Sequence, residues 1–322
     1  MKPTSISRLC VRTLTAALFL IATQACVLAR PARSIVGSAP AALGARTVDF
    51  PSRSGSVIKA WLAVGRPGMG AVLLLHGMGG NRASMLTRAR FLHREGFTIL
   101  APDFQAHGES PGDHITFGEL ESLDAAAALD YLRKSVPGER VGIIGVSMGG
   151  AATLVGDKPL TADALVLESV YPTFKDAVGD RLDTWLGPLG FLGAAVTPLL
   201  MQFVAPRIGV NPSRLRPIDD ISKIGEPLLL IAGTDDQYTR LDESRALFAR
   251  AAGPKLLWEV DGAGHEDLHD FAPLEYERRV GQFLILHLRP PASTSLDASG
   301  TAGRDMQGTC RIEWLDRRGC FR

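Results

Sequence analysis

The chain alternates short, β-branched apolar runs with longer amphipathic stretches. The runs predicted as strands are Val57–Val64, Ala71–Leu75, Phe97–Ala101, Val141–Ile144, Ala164–Leu167, Leu228–Ile231 and Leu256–Val260. Helical periodicity occurs at Ala83–Glu95, Phe117–Ser135, Leu241–Ala252 and Pro273–Leu288. This alternation predicts an α/β fold with a doubly wound, mostly parallel sheet, and ligands of such sheets bind beyond the carboxyl ends of the strands.

One interval breaks the alternation. About 60 residues separate the strands Ala164–Leu167 and Leu228–Ile231, which is too long for an ordinary connection. We therefore expect a helical cap at about residues 170–226, inserted before the strand that leads to Asp236. Apolar residues cover nearly every face from Trp185 to Val204. A helix of this kind must be buried, lie against lipid or cover an apolar pocket.

The N-terminus has the layout of a signal peptide. Basic residues at Lys2, Arg8 and Arg12 precede an uncharged run from Thr13 to Ala29. We expect residues 1–29 to be cleaved after Ala29 and the protein to be exported, either to the periplasm or out of the cell. An uncleaved anchor is the alternative, although the apolar core is shorter than the roughly 20 residues of a spanning helix. Lipidation at Cys26 is a further alternative, and membrane contact is expected only through this segment.

The remaining organisation follows from composition. We predict a linker at 30–45, the α/β domain at 46–289 and a flexible tail at 290–322. The tail contains Cys310 and Cys320, which an oxidising compartment would join in a disulfide; two free thiols are the alternative. Lys and Arg number 35 against 34 Asp and Glu, so no strong field exists to bind nucleic acid.

A glycine-flanked serine follows one predicted strand. The run from Val141 to Gly150 is apolar and ends in Gly-x-Ser-x-Gly around Ser147. This motif resembles the nucleophile elbow of α/β-hydrolases, which implies that Ser147 occupies a strained strand-to-helix turn and projects its hydroxyl as a nucleophile. Side chains at Gly145 and Gly149 would collide with the neighbouring backbone.

Two later strands end in an acid and a base. The strand at Leu228–Ile231 leads to Asp235 and Asp236, and the following strand leads to His265. A neutral imidazole within reach of Ser147 could take its proton, while a carboxylate holds the other ring nitrogen. Asp236 is our candidate for this carboxylate, with Asp235 as its rival and Glu168 as a more distant third.

Across residues 46–288 the chain resembles serine hydrolases of the α/β-hydrolase fold, near the esterase, monoacylglycerol-lipase and serine-aminopeptidase branches. The order serine, acid, histidine is that of this superfamily. The resemblance implies a triad of Ser147, Asp236 and His265, and its spacing favours Asp236 over Asp235.

Two loops extend the resemblance. The stretch from Leu73 to Gly80 resembles the family's His-Gly loop, which implies an oxyanion hole formed by the backbone amides of Met78 and Met148. The stretch from Pro102 to Ser110 is similar to the family's Asp-x-Arg-x-His-Gly-x-Ser loop, with Gln105 in place of the arginine. We expect His107 to be structural.

Metal and nucleotide sites are disfavoured. His265 to His269 spells His-Glu-x-x-His, which in zinc proteases needs both histidines on one helix. Gly262 and Gly264 precede this motif and Pro273 follows it, so such a helix is disfavoured. Arg82 replaces the last glycine of a dinucleotide motif, and no Gly-Lys-Ser/Thr occurs. We expect no metal and no cofactor.

The sequence thus predicts hydrolysis of an ester through an acyl-enzyme, on a small-molecule or lipid-like substrate whose acyl group is apolar rather than charged. A serine aminopeptidase is one alternative, and it would need a carboxylate for the substrate amine, for which Asp176, Asp180 and Asp183 are the candidates. A catalytically silent binding protein on the same fold is another.

Overall fold

The computed structural model describes residues 29–187 and 211–289, with residues 193, 197, 198, 201, 202 and 209 between them. The predicted signal peptide, apart from Ala29, lies outside this part of the chain. So do most of the predicted apolar cap helix and the tail with Cys310 and Cys320. Within the described part, no helix has the length and apolarity needed to cross a membrane.

Ten strands form two sheets. They are β1 (Ala32–Arg33), β2 (Arg46–Pro51), β3 (Val57–Ala63), β4 (Ala71–Leu75), β5 (Thr98–Pro102), β6 (His107–Gly108), β7 (Val141–Val146), β8 (Ala164–Glu168), β9 (Leu228–Gly233) and β10 (Lys255–Val260) among the described residues. The large sheet has the order β10-β9-β8-β7-β4-β5-β3-β2. Its pairs are parallel except β2 with β3 and β3 with β5. The mostly parallel sheet is confirmed.

Helices cover both faces of this sheet. They are α1 (Leu86–Glu95), α2 (Glu119–Ser135), α3 (Met148–Leu154), α4 (Phe174–Leu186), α5 (Pro217–Asp220), α6 (Leu241–Arg250), α7 (Leu268–Phe271) and α8 (Pro273–Leu288), with 3₁₀ turns at Ala41–Leu43, Arg82–Met85 and Ile221–Lys223. One core layer packs the apolar sides of α1 and α8 on the sheet, and the other packs those of α2, α3 and α6. The four helices predicted outside the cap, at Ala83–Glu95, Phe117–Ser135, Leu241–Ala252 and Pro273–Leu288, are confirmed.

Because the central strands are fully buried, their continuous apolar runs could be recognised in the sequence. Every residue of β4, β8 and β9 is buried, as expected where helices cover both sides of parallel strands. The edge strand β2 was not predicted, because only Val48 and Phe50 are buried and the residues between and around them are exposed. A short alternating run ending in Pro51 has a weaker signal than a continuous apolar run.

The segment 30–45, which we predicted as a linker, has contacts with the domain. Ala32 and Arg33 of β1 pair in parallel with His107 and Gly108 of β6. Ala29 is 4% exposed, and its carbonyl oxygen accepts a hydrogen bond of 2.9 Å from the amide of Ile115. This pairing connects the start of the described chain to the loop after β5.

The predicted cap interval contains α4, α5 and the turn at Ile221–Lys223. α4 begins at a capped N-terminus, where the Thr173 hydroxyl accepts from the amide of Asp176 at 3.2 Å. Thr197 lies against α4, since a Cβ at Gly179 would be 3.7 Å from its hydroxyl oxygen. The interval therefore places helical structure after β8, at the carboxyl edge of the sheet.

Candidate active site

Ser147 lies at the turn between β7 and α3. Its backbone has φ of +49° and ψ of −112°, a conformation that costs a non-glycine residue on the order of 1–3 kcal/mol. A Cβ at Gly145 would lie 2.8 Å from the carbonyl oxygen of Gly149, and one at Gly149 would lie 2.4 Å from that of Leu75. The two glycines are needed for close backbone packing, as predicted. The turn is further held by the amide of Ser147, which donates to the carbonyl of Glu168 at 2.7 Å.

Asp236 and His265 are in direct contact. Nδ1 of His265 donates to Oδ2 of Asp236 at 2.8 Å. The same carboxylate accepts from the amides of Tyr238 and Thr239, both at 2.9 Å, and from the Thr239 hydroxyl at 2.6 Å. Burial raises the pKa of Asp236, but the hydrogen bonds from His265 and Thr239 outweigh it and leave the pKa below its ordinary value. The carboxylate is therefore ionised at neutral pH.

The rival acids lie elsewhere. Asp235 is exposed, and its carboxylate accepts a long hydrogen bond of 3.4 Å from the Thr234 hydroxyl. Glu168 is buried and forms a salt bridge of 2.7 Å with Arg88. Of the three candidates, Asp236 is the one that contacts the imidazole.

Ser147 and His265 line one cavity of about 280 Å³, although no hydrogen bond joins their side chains. Gly77 and Met78 also line it, and a Cβ at Gly77 would be 3.5 Å from that of Ser147. Met148 is the first residue of α3, so its amide has no acceptor within the helix. The residues predicted to form an oxyanion hole thus border Ser147.

A narrow cleft of about 10 Å³ adjoins Ser147 on the side of α4. It is lined by Met78, Phe117, Ser147, Met148, Tyr171, Phe174, Ala177, Val178 and Arg181. Arg181 is the charged member of this lining, and it also lines the larger cavity. An acyl group bound at Ser147 would therefore meet mainly apolar side chains on this side.

Two neutral histidines connect the His-Gly loop to the loop after β5. His76 Nδ1 donates to the carbonyl of Gly77 at 2.7 Å, while its Nε2 accepts from the amide of Phe104 at 3.1 Å. His107 Nε2 accepts from the amide of Gly79 at 3.2 Å. Burial lowers the pKa of His76 to about 3, so both nitrogens keep these roles across the physiological range. The structural role predicted for His107 fits this arrangement.

Gln105 replaces the family's arginine in the loop after β5. Its side-chain amide donates to Oε1 of Glu121 and to the carbonyl of His114, both at 2.8 Å. The neutral amide thus connects the loop after β5 to Glu121 of α2 without a charge of its own.

A mostly buried network that the sequence did not predict borders the cavity. Arg88 on α1 forms salt bridges with Glu168 at the end of β8, at 2.7 Å, and with Asp267, at 2.6 Å. Tyr276 of α8 hydrogen bonds to the same Glu168. Because Asp267 follows His265 by two residues, the network anchors the histidine-bearing loop to the sheet. Its partners are far apart in the chain, so no local pattern could reveal it.

The histidines of the His-Glu-x-x-His sequence do not share a helix. α7 begins at Leu268, so His265 precedes it. His265 contacts Asp236, while His269 lies 3.3 Å from Glu277 and packs against Phe91 and Tyr276. Among the described residues, no group of three or more His, Cys, Asp or Glu side chains is arranged to hold a metal ion.

The acids considered for an aminopeptidase site have other partners. Asp180 and Asp183 form salt bridges with Arg240 at 2.6 and 2.9 Å. Asp176 accepts from the Thr173 hydroxyl at 2.6 Å, at the N-terminus of α4. None of the three lines the cavity that contains Ser147.

Known proteins are similar to this chain in sequence or in structure. A sequence profile described as the alpha/beta hydrolase family matches residues 72–279. The uncharacterized protein Rv2307c of Mycobacterium tuberculosis is 30% identical over 255 residues, covering 78% of this chain and 83% of that protein. The uncharacterized protein YqkD of Bacillus subtilis is 25% identical over 245 residues, covering 73% and 77%. The structure of the Pyrococcus furiosus esterase Pf2001 is similar with a TM-score of 0.67 and 27% identity, covering 81% of this chain and 98% of the esterase.

Proposed function

The chain belongs to the α/β-hydrolase family, and on this basis we propose that it is a serine hydrolase that cleaves carboxylic esters through an acyl-enzyme. The observation that carries the proposal is the 2.8 Å contact between His265 and Asp236 at the cavity lined by Ser147. The likeness to esterase Pf2001 supports the hydrolase class.

The residues suggest the following mechanism. With Nδ1–H of His265 donating to Asp236, the neutral imidazole has an unprotonated Nε2 that can accept the proton of the Ser147 hydroxyl. The serine oxygen then attacks the ester carbonyl, and the negative charge on the carbonyl oxygen is stabilised by the amides of Met78 and Met148. His265 returns the proton to the departing alcohol. Water, activated by the same imidazole, then releases the acid from Ser147.

The cleft beside Ser147 supports an acyl group that is apolar near the ester. Aliphatic and aromatic side chains such as Phe117, Phe174 and Val178 dominate its lining. Each methylene that the acyl group packs against this lining would contribute up to about 0.8 kcal/mol to binding. The aminopeptidase alternative has less support, because Asp176, Asp180 and Asp183 are engaged elsewhere and none lines the cavity.

We also propose that the protein is exported, on the strength of the charged start and apolar run within residues 1–29. N-terminal sequencing of the protein recovered from the producing cell tests this. A mature chain beginning at Arg30 is expected, and recovery of the intact N-terminus from the cytoplasm would contradict it.

The catalytic proposal is tested with p-nitrophenyl butyrate. Ser147→Ala should lower kcat at least about 10³-fold while the circular dichroism spectrum stays unchanged, because only the nucleophile is lost. The exposed Ser222 offers a matched control, Ser222→Ala, which should keep wild-type activity. Activity of Ser147→Ala within tenfold of wild type, or a folded wild type that hydrolyses no ester, would refute the proposal.

A further inference from the structure

Arg181 is a cation at the junction of the cavity and the apolar cleft. It lies on α4, lines both spaces together with Ser147, and is half-buried. Nη1 donates to the carbonyl of Ala177 at 3.0 Å, and the guanidinium lies 5.3 Å from the ring centroid of Tyr238. The remaining N–H groups have no hydrogen-bond acceptor among the residues that the structure describes. Arginine has five such donors in a planar fork, so most of its capacity is unused.

No acid neutralises this guanidinium. Among the described residues, none places a carboxylate within salt-bridge distance of Arg181, and the chain from 187 to 216 contains no Asp or Glu. Two carboxylates act on Arg181 at longer range, and each has a closer partner: Asp236 contacts His265, and Asp180 contacts Arg240. Burial lowers the pKa of Arg181, and the charges of Asp236 and Asp180 and the phenols of Tyr171 and Tyr238 offset this only in part. The group nevertheless stays charged at neutral pH.

The other charged residues that line the cavity have a salt-bridge partner or are exposed to water. Arg88 is held by Glu168 and Asp267, so it cannot offer a free edge to a ligand. Asp267 is compensated by Arg88, and Glu266 is exposed, where water screens it. The apolar cleft has Arg181 as its one charged lining residue among the described residues. Attraction for an anion is therefore greatest on the acyl side of Ser147.

Ser169 provides a second, independent sign of a polar ligand. It lines the same cavity, is 4% exposed, and its hydroxyl has no hydrogen-bond partner within the described part of the chain. Its backbone has φ of +47°, a left-handed conformation that is held by a hydrogen bond from its amide to Ile231. An unpaired buried hydroxyl is costly, and such groups are often completed by a ligand or a water molecule.

We propose that Arg181 binds a carboxylate at the far end of the acyl group, so that the preferred substrates are monoesters of dicarboxylic acids. This rests on the proposed esterase function and deepens it. The apolar cleft would contact the methylenes next to the ester, and the guanidinium would hold the terminal carboxylate through two parallel hydrogen bonds. The expectation of an uncharged acyl group then applies only to the part near Ser147.

The test compares two chromogenic esters that differ in one group. p-Nitrophenyl hydrogen adipate carries a terminal carboxylate, and p-nitrophenyl adipamate carries the neutral amide of the same shape. We expect the wild type to prefer the carboxylate in kcat/KM by roughly 10- to 100-fold, as for a hydrogen bond to a charged group. The Ser147→Ala variant gives the background rate of both esters.

Arg181→Met should reduce this preference to about one. The matched control is Arg133→Met, which makes the same change at an exposed arginine of α2 and should keep the wild-type preference. Arg181→Lys retains the charge without the fork and should show an intermediate value. If Arg181→Met does not fold, the wild-type preference and Ser169→Ala, which should weaken that preference, remain informative.

The outcomes separate the two claims. Equal hydrolysis of both esters by the wild type, or a preference that Arg181→Met leaves unchanged, overturns the inference while the esterase function stands. A loss of activity on both esters by the same factor in Arg181→Met shows a structural role through Tyr238 and likewise overturns it. Absence of hydrolysis of these esters and of p-nitrophenyl butyrate overturns the proposed function itself.

Discussion

Asp236 is set up by the residues that immediately follow it in the chain. Amides of Tyr238 and Thr239 both donate to one carboxylate oxygen, while the Thr239 hydroxyl and His265 donate to the other. Asp commonly bonds the backbone two and three residues later, so this local part could be read from Asp-x-x-Thr. The contact with His265 depends on tertiary structure and could only be predicted through the family resemblance.

The paired variants Asp236→Asn and Asp235→Asn test which acid orients the base. Asp236→Asn should lower kcat by roughly 10³- to 10⁴-fold, because an amide can stabilise neither the required tautomer nor the imidazolium. Asp235→Asn should stay within about threefold of wild type, since this exposed side chain does not contact His265. Steady-state kinetics on p-nitrophenyl butyrate measure both, and the reverse order of damage would assign the role to Asp235.

His76 should make stability depend on pH. Its pKa is about 3 in the folded protein, because burial disfavours the imidazolium. In the unfolded chain, where the side chain is exposed to water, the pKa is 6.5. The unfolded state therefore binds the extra proton as pH falls below 6.5, so the contribution is complete above 6.5 and is lost progressively toward pH 3. Between pH 6.5 and 3 the free energy of unfolding should fall by up to about 1.4 kcal/mol per pH unit because of His76, and His76→Gln should remove this dependence. Urea unfolding of the wild type and of His76→Gln at pH 7 and pH 5 measures this difference. An equal loss of unfolding free energy in the two proteins would contradict the role of His76.

At the scale of elements, the turn from β7 to α3 depends on backbone contacts more than on side chains. β7 lies between β4 and β8, so its end is surrounded by the loops after both. Gly145 and Gly149 allow the neighbouring backbone to come this close. The Gly-x-Ser-x-Gly pattern predicted the close packing because it places glycine at both positions. Only two residues of β2 are buried, so its sequence pattern was too weak to predict a strand.

Gly149→Ala tests this packing. The new methyl group would lie 2.4 Å from the carbonyl oxygen of Leu75, which is backbone and cannot rotate away. We expect a loss of at least about 2 kcal/mol in the free energy of unfolding. Gly225→Ala is the control, since nothing lies within 4 Å of its Cβ, and it should change stability by less than about 0.5 kcal/mol. Similar chemical denaturation midpoints for the two variants would refute the steric argument.

For the whole molecule, the parallel sheet brings together residues that are far apart in sequence. β7, β9 and β10 end near Ser147, Asp236 and His265, and β8 lies between β7 and β9 in the sheet. The sequence predicted these strands, though not their order, because each is a largely apolar run. Arg181 and the Arg88 network were not predictable, because a single charged residue on a helix has the same appearance whether solvent or a cavity surrounds it.

Chelation tests the chemistry assigned to the molecule as a whole. The proposed mechanism stabilises charge with backbone amides and His265, so EDTA or phenanthroline should leave ester hydrolysis unchanged. A loss of activity that added zinc restores would instead revive a metal site at His265 and His269.

Covalent labelling by a fluorophosphonate probe examines the nucleophile directly. The wild-type protein should form one adduct, which peptide mass spectrometry locates at Ser147, and the folded Ser147→Ala variant should form none. An unlabelled, folded wild-type protein, or an adduct that persists in Ser147→Ala, would contradict the assignment of Ser147 as the catalytic nucleophile.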